Sequence, residues 1–168
     1  MRKSSASAST HKKVVVSLLD GSAIKGYLNP AALGRSEEAD LLTLAGEHRV
    51  IPLSGIKSVH FVREFNERFE LERKTFLSRP KLDGLWVRLR FRDEDSLEGI
   101  VGNNLLDMLD SGIQLTPPDL HGNTLRMFVP RSALLEMKVL GVVGVARRAP
   151  QPQPGAKTAA GQSKLFNE

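Results

Sequence analysis

Trp86, Arg88, Arg90 and Arg92 occupy alternate positions of one short run. If that run is a strand, alternation puts all four on one side of the sheet. Guanidinium groups beside an indole can contact phosphates and stack a base. The plainer reading is a solvated strand face whose arginines pair across with Glu98 or neighbouring acids. It is favoured because an acidic turn, Asp93-Glu94-Asp95, follows at once. Those acids and Glu98 offer the oxygen that a hard cation takes, but a calcium loop needs more ligands on a spaced, Gly-containing segment. His11, His48, His60 and His121 are scattered, with no two at ligand spacing. His60 falls on an expected strand and reads as a surface or edge residue. The chain has no cysteine, which excludes disulfides, thiolate metal sites and cysteine nucleophiles. Neither a Gly-x-Ser-x-Gly elbow nor a phosphate-cradling Gly loop occurs. Nothing nominates the convergent acid, base and nucleophile of an enzyme, and no metal or cofactor is expected.

The elements that must position these residues are stated twice. Val14, Val16, Leu18, Asp20, Ile24 and Gly26 reappear 73 residues later as Val87, Leu89, Phe91, Asp93, Leu97 and Gly99. Val50-Ile51-Pro52 reappears 78 residues later as Phe128-Val129-Pro130. Such self-similarity marks a duplicated structural unit. In the first unit, strands are expected over 14–19, 23–28, 41–44, 49–53 and 57–62. Asp20-Gly21 makes the first hairpin, because Gly tolerates the positive φ of a tight turn. In the second unit they are expected over 85–92, 96–101, 112–116, 125–129 and 136–140. The insertion after the second strand carries Leu105, Leu106, Met108 and Leu109, a segment with room for one helical turn. Apolar residues there either plug the open end of a barrel or dock a partner protein. Between the units, Phe65, Phe69, Glu72 and Phe76 are spaced by four, three and four, which predicts a short amphipathic helix through about residue 74. Ser78-Arg79-Pro80 ends it.

The net charge is +5, but the tails make it. Arg2, Lys3, Lys12, Lys13, Arg147, Arg148, Lys157 and Lys164, less Glu168, carry +7, so the body from Val14 to Val145 is left at −2. A basic balance of that kind gives loose attraction to polyanions through the tails, not a shaped groove. No apolar run is long enough to span a membrane, and no apolar stretch precedes Val14. With no cysteine, the expected location is the cytoplasm. The low-complexity ends, 1–12 and 146–168, read as disordered tails.

A curved strand, an Asp-Gly turn, a second strand ending in Gly and a late strand after proline resemble the Sm-like small β-barrels. The stretches Arg73-Lys74-Thr75-Phe76, Arg79-Pro80, Gly84-Leu85-Trp86-Val87-Arg88, Asn103-Asn104-Leu105-Leu106, Thr116-Pro117-Pro118-Asp119 and Phe128-Val129-Pro130-Arg131 resemble an uncharacterised bacterial family of unknown function. A weaker resemblance is to PilZ receptors of cyclic di-GMP. It rests on Arg73, Lys74 and Arg79 ahead of the Trp86 strand and on Glu94-Asp95-Ser96-Leu97-Glu98-Gly99. That resemblance implies ligand roles for Arg73, Lys74, Arg79, Ser96 and Gly99. Arg73 and Arg79 are six apart where the motif has four, and Glu94 stands where Asp or Asn is expected.

The expectation is therefore an all-β protein of two tandem small five-stranded Sm-like barrels, residues 13–62 and 85–145, joined by a charged, partly helical connector, 63–84. Its expected role is a non-catalytic adaptor or regulatory module that binds a protein partner. The alternative is binding of cyclic di-GMP or single-stranded RNA through the Trp86/arginine face. Nucleic acid is also expected to touch the basic tails.

Overall fold

β-branched and aliphatic residues at alternate positions, punctuated by Gly, Pro and Asp turns, produce strands and little else. A computed structural model describes residues 10–106 and 111–144. Ten strands follow in order: β1 Lys12–Leu18, β2 Ala23–Leu28, β3 Glu38–Thr43, β4 His48–Pro52, β5 Ile56–Val62, β6 Gly84–Phe91, β7 Ser96–Val101, β8 Gly112–Thr116, β9 Thr124–Pro130 and β10 Leu134–Val143. The proline that closes β4 and the one that closes β9 each lead into a single 3-10 turn, Leu53–Gly55 and Arg131–Ala133. The protein is all-β, as its sequence predicts.

All ten strands form one open antiparallel sheet, in the order β10-β6-β7-β8-β9-β5-β1-β2-β3-β4. The first five strands lie as β5-β1-β2-β3-β4 and the last five as β10-β6-β7-β8-β9. The two sets meet where β5 pairs with β9, with Val59 opposite Phe128, His60 opposite Met127 and Phe61 opposite Arg126. Gly26 and Gly99 hold equivalent places. A Cβ on Gly26 would strike the Leu42 carbonyl, and one on Gly99 would lie 2.7 Å from Leu115 Cδ1. Only glycine lets the third strand of each set approach so closely.

Alternation sorts the side chains as expected on β6, where Val87, Leu89 and Phe91 are buried while Arg88 and Arg90 are exposed. Two apolar clusters result. One gathers Val14, Val16, Leu28, Leu41, Ile56 and Val59. The other gathers Val87, Leu89, Phe91, Leu97, Leu115 and Val129. Phe128 of β9 crosses the seam and belongs to the first cluster.

The segment between β5 and β6 corrects one expectation: no helix forms over residues 65–74. The periodic aromatics do not share a face but reach different targets. Phe65 packs edge-on against Tyr27, Phe69 against His60 and Phe76 against Trp86, with Leu71 against the second core. A helix this short is marginal in water, and dispersed contacts along the sheet prevail. The segment is an irregular strap. The helical turn expected after β7 cannot be placed, since residues 107–110 lie outside the described residues, as do 1–9 and 145–168 with most of both tails.

Candidate functional site

Burial of polar groups demands partners, and the buried polar side chains of this protein show where its chemistry is concentrated. Among the described residues they are Ser58, His60, Glu98, Asn123 and Thr124. All bear on the strap, directly or through a neighbour. Asn123 Oδ1 accepts from the backbone N–H of Arg63 at 3.1 Å and of Glu64 at 2.9 Å, while Asn123 Nδ2 donates to the carbonyl of Glu64 at 2.7 Å. The Thr124 hydroxyl donates to the Phe69 carbonyl at 2.8 Å. Glu98 accepts from the Phe76 N–H at 3.0 Å, and its own N–H donates to the Lys74 carbonyl. An extended segment without ladder partners is thus satisfied by side chains of the sheet.

Beneath the strap, at the seam between the two sets of strands, lies a cavity of about 160 Å³ lined by Lys57, Ser58, His60, Phe69, Lys74 and Asp95, among others. Its polar wall is a relay. Since the Thr124 hydroxyl is committed to Phe69, His60 Nδ1 carries the proton and donates to Thr124 Oγ1 at 3.3 Å. His60 Nε2 is then left to accept from the Ser58 hydroxyl at 2.9 Å. A serine donating to an imidazole has the form of an activated nucleophile. Here burial, helped by the charge of Lys57, lowers the His60 pKa to about 4. A base that weak takes little proton at neutral pH, and its far nitrogen meets a neutral hydroxyl instead of a carboxylate. The relay reads as a structural tie that orients β5, β9 and the strap together.

The opposite wall is ionic. Lys57 Nζ reaches Asp93 at 2.6 Å and Asp95 at 3.0 Å, and Lys74 reaches Asp95 at 2.8 Å. Burial alone would lower the Lys57 pKa, but the bonds to Asp93 and Asp95 outweigh it and the pKa rises. Asp93 is held low by its hydrogen bond to Lys57. Burial opposes ionisation of Asp95, yet Lys74 and Lys57 hold it low as well. Cations and carboxylates therefore neutralise each other across the seam.

Of the residues expected to form a phosphate-binding face, Trp86 and Arg88 are brought together at Glu98, while Arg90 and Arg92 find other partners. Trp86 Nε1 donates to Glu98 Oε2 at 3.1 Å, and Arg88 lies 3.3 Å from Glu98 Oε1. Arg90 lies 3.6 Å from Glu136, and Arg92 Nε donates to the Ser132 carbonyl at 2.7 Å. The indole and all three guanidinium groups thus have partners within the chain. The set suggested by PilZ does not converge. Lys74 turns to Asp95, whose Oδ1 also accepts from the Ser96 N–H, whereas Arg79 donates to the Val142 carbonyl at the end of β10 and Arg73 is exposed. Gly99 is required for strand packing. Leu105 and Leu106 stand in the open, each 71% exposed. Met108 and Leu109 lie outside the described residues. Among the described residues no group of three or more His, Cys, Asp or Glu is arranged to hold a metal ion.

Sequence reasoning missed the seam and misplaced His60, which is buried and not at an edge. The available signal was β5 itself. Ser58 and His60 share one face, Val59 and Phe61 the other, with no charge past Lys57, the mark of a strand covered on both sides.

No helix among the described residues is long and apolar enough to cross a membrane. Neither the curated proteins nor the solved structures contain a match to the chain, so no relative lends the seam or the strap a role. One family model does match, over residues 10–141, a span that runs from just before β1 into β10 and takes in the strap and both apolar clusters. The chain belongs to the DUF6982 family of unknown function.

Proposed function

We propose that this protein is a non-catalytic adaptor or regulatory module that acts by binding another protein, with the loop after β7 as its contact. The observation that carries the reading is the exposure of Leu105 and Leu106. They do not plug the sheet; they offer leucine side chains to a partner's apolar surface. The partnered Trp86/arginine face supports the same reading against cyclic di-GMP or single-stranded RNA, because a phosphate would have to displace Glu98 from Arg88 and Glu136 from Arg90, while Arg92 bonds a backbone carbonyl. The proposal includes the architecture of two tandem Sm-like halves, supported by the identical strand order on the two sides of the seam and by the matched residues at offsets of 73 and 78.

Capture from a native cell extract treated with nuclease tests the reading. The expected result is one protein retained in stoichiometric amount by the native chain and lost with the Leu105→Asp/Leu106→Asp double variant, whose melting curve stays unchanged. Capture that vanishes on nuclease treatment, or that ignores the double variant, overturns it.

A further inference from the structure

Among the described residues the sheet ends on two strands, β4 and β10, that have no outer strand neighbour. Each is the counterpart of a strand that does. Shifted by 78 residues, β4 falls on β9, with Val50 on Phe128 and Pro52 on Pro130, and β5 falls on β10, with Val59 on Met137 and Phe61 on Val139. The local geometry repeats too: Pro52 has φ −64° and ψ 136°, Pro130 φ −62° and ψ 142°, and each opens a three-residue 3-10 turn. Inside the molecule β5 and β9 pair. Their counterparts, β10 and β4, have no strand on the outer side among the described residues, and Arg79 of the strap bonds the Val142 carbonyl near the end of β10.

Those edges are protected only in part: β4 is five residues long with Arg49 and Pro52, and β10 carries Glu136, Lys138 and two register shifts against β6, but both leave valines exposed. A free edge invites another strand, and proteins blunt it by keeping it short or charged. β10 is ten residues long. Val139 and Val142 on it are 51% and 62% exposed, and Val50 on β4 is 57% exposed. At the seam the residue equivalent to Val50, Phe128, is buried in the neighbouring half's core.

We propose that the chain self-assembles head to tail, β4 of one copy adding to β10 of the next in the register of the internal β5–β9 seam. That register sets Val50 opposite Met137, Arg49 opposite Lys138 and His48 opposite Val139, so the apolar contacts must outweigh one like-charge pair. The two surfaces differ, so the contact is heterologous and propagates into a ring or an open chain of copies. The ten-stranded sheet continues across each junction, and the inference stands apart from the Leu105/Leu106 loop, which lies on neither edge.

Light scattering on the full chain tests it. The native protein is expected at a multiple of its 18.5 kDa mass. Val50→Glu, which blocks β4, and Val139→Glu, which blocks β10, are each expected to be monomeric with unchanged far-ultraviolet circular dichroism. Mixed, they should form a one-to-one dimer that grows no further, because only one intact β4 meets one intact β10. A monomeric native chain, an assembly that survives both variants, or variants that each pair with themselves would overturn the proposal. Should either variant fail to fold, the chain's lack of cysteine gives a second route. Val50→Cys with Met137→Cys in one chain should oxidise to a ladder of linked copies, and the absence of that ladder would equally overturn it.

Discussion

His60 is the residue at which burial and chemistry meet most sharply. The folded protein holds the imidazole neutral with a pKa of about 4, against 6.5 for the free side chain. Below pH 6.5 the unfolded chain takes a proton that the folded chain refuses. Stability therefore falls as pH drops from 6.5 to 4, by about 3 kcal/mol at most. In His60→Gln that slope should flatten, which urea titrations at several pH values will read; a slope that persists in the variant would place the acid sensitivity elsewhere. A second contrast lies on β6. Phe91→Ala should cost about 3–5 kcal/mol, since a buried ring leaves a cavity. Arg90→Ala should stay within about 0.5 kcal/mol, because its ion pairs are at the surface. A thermal melt with the opposite ranking would reverse the faces of the strand. The faces of β6 were legible because one alternation was unbroken from Trp86 to Arg92. The burial of Glu98 was not, because a carboxylate is placed inside only by partners that come from elsewhere in the chain.

At the scale of elements, the ten strands were legible and the strap was not. β2, β7 and β8 occupy the expected ranges, and β10 runs beyond its expected one, from Leu134 to Val143. Strands declare themselves through a period of two and through their turns. The strap has a helical spacing of aromatics but no local hydrogen bonds to go with it. Its backbone is satisfied by Asn123, Thr124 and Glu98, which lie 22 to 60 residues away along the chain. Such a segment is decided by tertiary contacts, which override periodicity. Asn123→Ala leaves the Glu64 N–H and the carbonyls of Glu64 and Glu67 without their side-chain bonds, while the Arg63 N–H keeps its bond to the Asn123 carbonyl; the cost is roughly 1–3 kcal/mol for each group that water does not reach. Hydrogen exchange at Glu64 should quicken in that variant while exchange at Val15 in β1 does not. Equal quickening at both would mean that the strap is inseparable from the core.

At the scale of the whole molecule, the sequence shows two similar units and the structure shows one sheet. What joins them, the β5–β9 ladder, left no local trace beyond the uncharged run of β5 past Lys57, because strand pairing across the seam is a register between residues more than sixty apart. The same joining explains why the charges near the seam are neutral as a set. Lys57 and Lys74 answer Asp93 and Asp95, and the arginines of β6 answer Glu98 and Glu136. The excess positive charge is thereby left to the tails, while the body from Val14 to Val145 carries −2. In the function proposed above, this body meets proteins and not nucleotides. The direct measurement is a titration of single-stranded RNA into the native chain and into Arg88→Ala, at low and at moderate salt. Weak binding is expected, equal in the two proteins and lost as salt rises, since it comes from tail cations neutralising phosphates. Tight, saturable binding that persists in salt and that Arg88→Ala abolishes would contradict it and make the Trp86/arginine face the site.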